Sequence, residues 1–215
     1  MAEQTEIEIT RSAHGTGVFP PVEVTQSQLV FWINKDPHSP HWPYFPDQPG
    51  VGPRFQTGPG DTSDPVQPYA GATIPQGQNK VVNYGCRISD HESEQGAITV
   101  WADFLVASIQ NDDIYNQLPD GTVGVAYTPV SLTTGGKPGY SHTLSDAVLP
   151  AGITVTDGPA GVMVGGTPAT SGSDFAFTVH CKDALGNKVD QTFTLSVAAA
   201  QPKQPGAETA TPVRR

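Results

Sequence analysis

Basic residues are scarce in this chain: 11 Lys and Arg stand against 21 Asp and Glu, a formal net charge of -10. Phosphate binding needs clustered Lys and Arg, so nucleic acid is not an expected partner. Long apolar runs are missing too. Nothing approaches the roughly 20 residues that span a bilayer, so no membrane span is expected. No basic n-region followed by an apolar h-region opens the chain, which leaves a cytosolic protein or the mature form of an exported one. No long segment carries apolar residues at the 3.6-residue helical period. Cysteine is rare, with only Cys86 and Cys181. These two fall in what read as different domains, so no disulfide between them is expected.

What is present is turn chemistry. The 23 Gly and 21 Pro punctuate short runs rich in β-branched residues, and a hydrophobic content of 36% is low for one large core. That pattern predicts an all-β protein built from sandwiches or barrels. A length of 215 residues allows one to two domains. Composition shifts predict residues 1–17 as a mobile segment or short edge strand, a first domain over 18–107 and a linker over 108–119. A second domain over 120–198 and a disordered tail over 199–215 complete the expectation. The Pro- and Gly-dense stretch from Pro37 to Pro68 holds no convincing strand beyond Arg54-Phe55-Gln56, and reads as a long excursion packed over one end of the first domain.

The chemistry concentrates in Tyr84-Gly85-Cys86-Arg87-Ile88-Ser89-Asp90-His91-Glu92-Ser93-Glu94-Gln95-Gly96. It lies between two β-branched runs, Lys80-Val81-Val82-Asn83 and Ala97-Ile98-Thr99-Val100-Trp101, and so reads as a loop joining two strands. It offers a thiol at Cys86, an imidazole at His91 and an amide oxygen at Gln95. These donors suit copper better than magnesium or calcium, which want oxygen shells. Glu92 and Glu94 are alternative oxygen donors, and acidic neighbours make zinc a possible substitute. A second imidazole has to come from elsewhere. It is offered by Trp32-Ile33-Asn34-Lys35-Asp36-Pro37-His38-Ser39-Pro40-His41, where an apolar strand runs into a turn signal and then into two histidines.

At these residues the chain resembles the cupredoxins, the small blue-copper proteins, in which a strand ends in Trp-x-Asn-x-Asp and a histidine follows. Ala72-Thr73-Ile74-Pro75-Gln76-Gly77-Gln78 resembles the turn that the family carries before the strand leading to its cysteine. The resemblance covers Val18 to Val106 and implies a Greek-key barrel holding one copper ion. Its implied ligands are His41, Cys86, His91 and, as weak axial donor, Gln95. Pro40-His41 is the form of the family's motif, which leaves His38 as an exposed loop residue. The spacing of Cys86, His91 and Gln95 is similar to the azurin-type loop, and an axial glutamine to the stellacyanin variant. The family usually has Asn after the first histidine, to tie the ligand loops together; Trp42-Pro43 replaces it here.

The implied function is one-electron transfer to a redox partner protein in the periplasm or outside the cell. A glutamine oxygen favours Cu(II), so the expected potential lies below that of a Met-axial site. Other readings are a non-redox binding or adhesion protein with a degenerate cupredoxin domain, and a copper storage or delivery protein. Trp42, Tyr44, Phe45 and Phe55 form either a docking patch or packing for the long loop.

The second half, about Asp120 to Ala198, is similar to the bacterial Ig-like module related to cadherin-like domains. Leu149-Pro150-Ala151-Gly152-Ile153, Gly166-Thr167-Pro168, Phe177-Thr178-Val179 and Asp183-Ala184-Leu185-Gly186-Asn187 carry that similarity. It implies a spacer or adhesion module. His180 and Cys181 are adjacent on a strand, point to opposite faces and cannot share an ion. The sequence shows no enzyme signature: no Gly-x-Ser-x-Gly setting and no second metal site.

Overall fold

The computed structural model describes residues 3–111 and 113–201. Among them every regular element is a strand, as the β-branched runs and turn residues predict, and the protein is all-β. No helix is long and apolar enough to cross a membrane.

The first half is built from β1 (Gln4–Arg11), β2 (Gly17–Val18), β3 (Val22–Thr25), β4 (Leu29–Asn34), β5 (Pro43–Tyr44), β6 (Asn79–Cys86) and β7 (Gln95–Trp101). They make two sheets, ordered β2-β1-β4 and β3-β7-β6-β5. β1 runs parallel to β4 and β3 parallel to β7, whereas β6 and β7 form an antiparallel pair. Alternation along each strand sends one set of side chains inward. Ile7 and Ile9, Val30 and Trp32, Val82, Tyr84 and Cys86, and Ile98 and Val100 meet between the sheets as one buried cluster.

Two expectations change here. Of the two readings of the amino-terminal segment, its described part takes the strand, and not at an edge: β1 lies between β2 and β4, Glu6-Ile7-Glu8-Ile9 alternates in register with β4, and both isoleucines are buried. The long excursion has no strand at Arg54-Phe55-Gln56, and Phe55 is 75% exposed. Instead the stretch contributes β5 and runs back along β4 through bridges Ile33–Thr62 and Val30–Val66, which cover that strand's otherwise open edge.

A second buried cluster begins at Phe104 and runs to Val197. Its main sheet joins Gly121–Thr122, Lys188–Ala198, Gly172–Lys182 and Ser141–Ser145; Tyr127–Ser131, Gly161–Gly166 and Ile153–Gly158 form another. The division between clusters therefore falls at Asp103, earlier than the expected linker over 108–119. Leu118 within that segment is fully buried in the second cluster, because Gln117 bridges to Thr194 and draws the chain inward. The Asp183–Asn187 motif closes a hairpin: Asp183 Oδ1 accepts from the amides of Leu185 and Asn187 at 3.0 and 2.9 Å. Of the tail expected over 199–215, residues 202 onward lie outside the described residues.

The role of β1 gives a stability prediction. Ile9→Ala should cost about 2–5 kcal/mol in urea unfolding, the usual range for a deleted core side chain. Glu8→Ala, on the exposed face of the same strand, should stay within about 0.5 kcal/mol.

Candidate metal centre

His41 reaches the site because its loop is pinned on every side. Asn34, at the end of β4, is buried and donates through Nδ2 to the carbonyls of Ser39 at 2.8 Å and Thr57 at 2.9 Å. Its Oδ1 accepts the Asp36 amide at 2.9 Å, the local turn that Asn favours. The His41 backbone then exchanges two hydrogen bonds with Thr57, at 3.0 and 2.7 Å. The His38 side chain is exposed and lies outside the cluster, although its amide donates to Asp36 Oδ1 at 2.9 Å. Of the two candidate histidines, the structure brings in His41.

Cys86 ends β6 on its inward face, following Val82 and Tyr84. Between Cys86 and β7 the loop turns at Asp90, whose φ is 70°, and places His91 beside the sulfur: Sγ lies 3.5 Å from His91 Nδ1. The Cys86 amide donates to the Glu94 carbonyl at 3.1 Å, which closes the loop at its base.

The side-chain oxygen that joins the cluster is that of Glu94, and Gln95 lies outside it. Gln95 is exposed, and its Nε2 donates to the Glu92 carbonyl at 3.3 Å. Ile98 and Val100 face the core, so counting back by twos turns position 94 inward and 95 outward. Glu94 Oε2 lies 2.9 Å from His41 Nδ1 and 3.1 Å from His91 Nδ1. Its other oxygen, Oε1, accepts the Gly17 amide at 2.5 Å. The ligand atoms of His41, Cys86, His91 and Glu94 all lie within 4.8 Å of one another. His41, Cys86 and Glu94 are buried, while the His91 side chain is 20% exposed and forms the edge that reaches solvent.

This cluster fits a single ion. With bonds of about 2.0–2.1 Å to nitrogen or oxygen and about 2.3 Å to sulfur, tetrahedral donors sit about 3.3 Å apart, or about 3.6 Å when one is sulfur. Three of the six separations, 2.9, 3.1 and 3.5 Å, are of that size, and all six lie within 4.8 Å. The two His41 nitrogens divide their tasks. Nδ1 faces the cluster, and Nε2 lies 3.3 Å from Asp36 Oδ2. A carboxylate on the far nitrogen is the arrangement that fixes the tautomer of a ligating histidine.

Asp36 is itself fully buried. Burial opposes its ionisation, yet the His38 amide, the Arg11 guanidinium and His41 together hold its carboxyl below the usual carboxylate range. Arg11 Nη1 sits 3.1 and 3.2 Å from its two oxygens.

The Cys86 thiol gives up its proton less readily than a free cysteine. Burial pushes it up, and Glu94 adds to that, against the pull of the Trp42 and Ile88 amides. A coordinated cation reverses this balance and deprotonates the sulfur. The Trp42 amide donates to Cys86 Sγ at 3.4 Å, and the Trp42 carbonyl accepts from the Arg87 amide at 2.9 Å. Because backbone atoms make this tie between the ligand loops, Trp can stand where the resemblance leads one to expect Asn. Of the aromatic group, Phe45 belongs to the core, Trp42 and Tyr44 flank the Arg87 guanidinium at 5.2 and 5.4 Å, and Phe55 stands apart in solvent.

No protein-family model and no curated protein matches the sequence. Among solved structures the chain is similar to an endo-fucoidan hydrolase of glycoside hydrolase family 107, at 14% identity and a TM-score of 0.35. The similarity covers 90% of this chain but only 29% of that one. A second similarity is to the titin domains Z1Z2 in complex with telethonin, at 13% identity and a TM-score of 0.27, over 85% of this chain and 94% of that one. At these scores neither carries an argument about the site, which rests on its own residues.

Two predictions follow from the packing around the donors. A Cβ at Gly17 would stand 2.5 Å from His41 Cε1 and 3.0 Å from the Glu94 carboxyl carbon, so Gly17→Ala should dislodge both donors. Gly17→Ala and Asp36→Asn should each weaken metal binding about 10–100-fold in a chelator competition, with Gln95→Ala unchanged.

The second concerns Cys181, whose thiol burial pushes up to about 12, with Asp157 and Asp190 adding to it. At pH 8 Cys181 should resist alkylation until the protein is unfolded. Its folded value lies above the unfolded one. Its contribution to stability is therefore complete below about pH 9 and should be lost as pH rises toward 12, as read by denaturant midpoints across that range.

Proposed function

We propose that the His41–Cys86–His91–Glu94 cluster holds one copper ion and that the protein is a one-electron carrier. The observation that carries this reading is the convergence of two imidazoles, a thiol and a carboxylate within 4.8 Å at the buried end of a sandwich. Thiolate and imidazole together favour copper or zinc over the hard cations. When bound, copper would supply a reversible exchange between its +1 and +2 states.

The residues supply a site that keeps its shape during that exchange. Cys86 and Glu94 are held by the β6–β7 ladder and by the hydrogen bond between their own backbones. His41 is held by Thr57 and Asn34, and its far nitrogen by Asp36. Fixed donors lower the rearrangement that accompanies a change of charge. Burial of three donors supports retention of the ion and argues for electron carriage over delivery. The exposed edge of His91 is the route by which an electron would leave toward a partner protein.

A carboxylate is a harder donor than an amide or thioether oxygen or sulfur, so Glu94 should stabilise Cu(II) and lower the potential. This ligand set extends the cupredoxin resemblance with one change, a carboxylate at the fourth position. A periplasmic or extracellular setting belongs to the same proposal. Zinc is the competing ion, since a closed four-donor set with a carboxylate also suits it.

Titration with Cu(II) should saturate at one equivalent, produce a thiolate-to-copper absorption band, and bleach reversibly with ascorbate. Glu94→Met should raise the potential by at least about 60 mV, a tenfold change in the relative affinity for the two oxidation states. Copper that binds without the band, or a band that survives Cys86→Ser, would defeat the assignment.

A further inference from the structure

The outer face of the second half's main sheet carries an arrangement that the metal centre does not use. Cross-strand register sets out rows on that face: Ser141 beside Lys182 and Lys188, then Thr143 beside His180 and Asp190, then Ser145 beside Thr178 and Thr192. Alternation buries Cys181 and leaves His180 outside, its side chain 42% exposed. The His180 ring uses both nitrogens. Nδ1 lies 2.9 Å from Asp190 Oδ1, and Nε2 lies 2.8 Å from Ser145 Oγ.

With the imidazole neutral, the order of these contacts assigns the protons. A neutral imidazole has one donor nitrogen and one acceptor, and an ionised carboxylate only accepts. Nδ1 therefore carries the hydrogen given to Asp190, and Nε2 accepts the Ser145 hydroxyl. A hydroxyl, a base and an orienting carboxylate are linked in the sequence that activates a serine nucleophile.

A hollow of about 430 Å³ lies on the other side of His180 from Ser145, which is not in its lining; His180, Asp190, Lys182 and Lys188 line it in part. Lys182 and Lys188 stand directly opposite each other, and like charges so placed cost stability. The lysine and arginine ion pairs among the described residues belong to Arg11, Lys35 and Lys137, so neither of these two lysines is neutralised by one. An anionic group in the hollow would offset that repulsion.

We propose that Ser145 is a nucleophile, with His180 as its general base and Asp190 as a positioning residue, and that this face accepts acyl groups from activated carboxylic esters bearing an anionic substituent. Ser145 Oγ bonds to the ester carbonyl carbon as its proton passes to His180 Nε2. The tetrahedral adduct then breaks its bond to the leaving alkoxide, which takes that proton. Water, deprotonated by the same nitrogen, releases the carboxylic acid and restores the serine. The Asp190 side chain is 65% exposed, so solvent screens its effect on His180. Acceleration on so open a face belongs to the general-base range of about 10²–10⁴-fold. The three residues come from three strands, with 35 positions between Ser145 and His180, and no local motif announces them.

The test uses the full chain, stripped of metal by a chelator so that copper chemistry cannot contribute. It is treated with a fluorophosphonate probe, and the labelled residue is located by mass spectrometry. Ser145 should carry the label, and His180→Ala should slow labelling at least about 10-fold. Asp190→Asn should slow it less, and Asp190→Glu should recover part of the loss. The 4-nitrophenyl monoester of succinic acid should be hydrolysed faster than 4-nitrophenyl acetate, with the preference lost in the Lys182→Gln, Lys188→Gln double variant. The substituted positions are at least partly exposed, so every variant is expected to fold, and Thr143→Ala serves as the control in the same row. The double lysine variant should unfold at the same temperature or slightly higher, because the opposed charges are gone. Label spread over other serines and lysines, or a Ser145 rate indifferent to His180→Ala, overturns the proposal.

Discussion

A carboxylate taken out of water costs on the order of several kcal/mol unless charges or donors meet it. The Glu94 side chain is buried, and the first half of this protein is arranged around satisfying it. One oxygen takes the Gly17 amide; the other faces a ring nitrogen of His41 and one of His91. The three partners come from β2, the excursion after β4 and the β6–β7 loop, so the need to satisfy one side chain draws three separate segments together. Cys86 completes the group from the strand next door. The geometry that makes Glu94 affordable in the interior is the same geometry that brings four candidate metal donors together.

The arrangement extends outward from there. His41 is bracketed by carboxylates, Glu94 on Nδ1 and Asp36 on Nε2, and Asp36 is in turn held by Arg11 from β1. Arg11 can reach because β1 pairs along the whole of β4, with Ile7 and Ile9 anchoring it in the core. Packing of the amino-terminal strand thus connects to the orientation of one imidazole through a single ion pair. Loss of that pair would leave the buried Asp36 carboxylate with only the His38 amide and His41 to satisfy it.

Much of this could be read from the sequence, and the parts that could not have identifiable causes. Alternating Glu and Ile in β1, the β-branched runs of β6 and β7 and the dense turn residues announced an all-β chain. Cys86, His91 and the Pro40-His41 turn pointed to three of the four residues that meet in the cluster. Gln95 was expected where Glu94 stands because spacing was counted along the loop. Strand parity was the better guide: Ile98 and Val100 face inward, so position 94 does too. β1 was undervalued because a short polar amino terminus carries little local signal, and its partner lies about twenty-five residues away in parallel register, as Gln4 opposite Leu29 shows. Trp42 stands where the family has Asn, but its part in the link between the two loops is made by its own amide and carbonyl and is indifferent to its side chain.

X-ray absorption at the copper edge of the loaded protein addresses the central claim most directly. The account predicts a first shell of one sulfur with three nitrogen or oxygen scatterers, two of them showing the outer-shell pattern of imidazole. A shell without sulfur, or with a single imidazole, would contradict it.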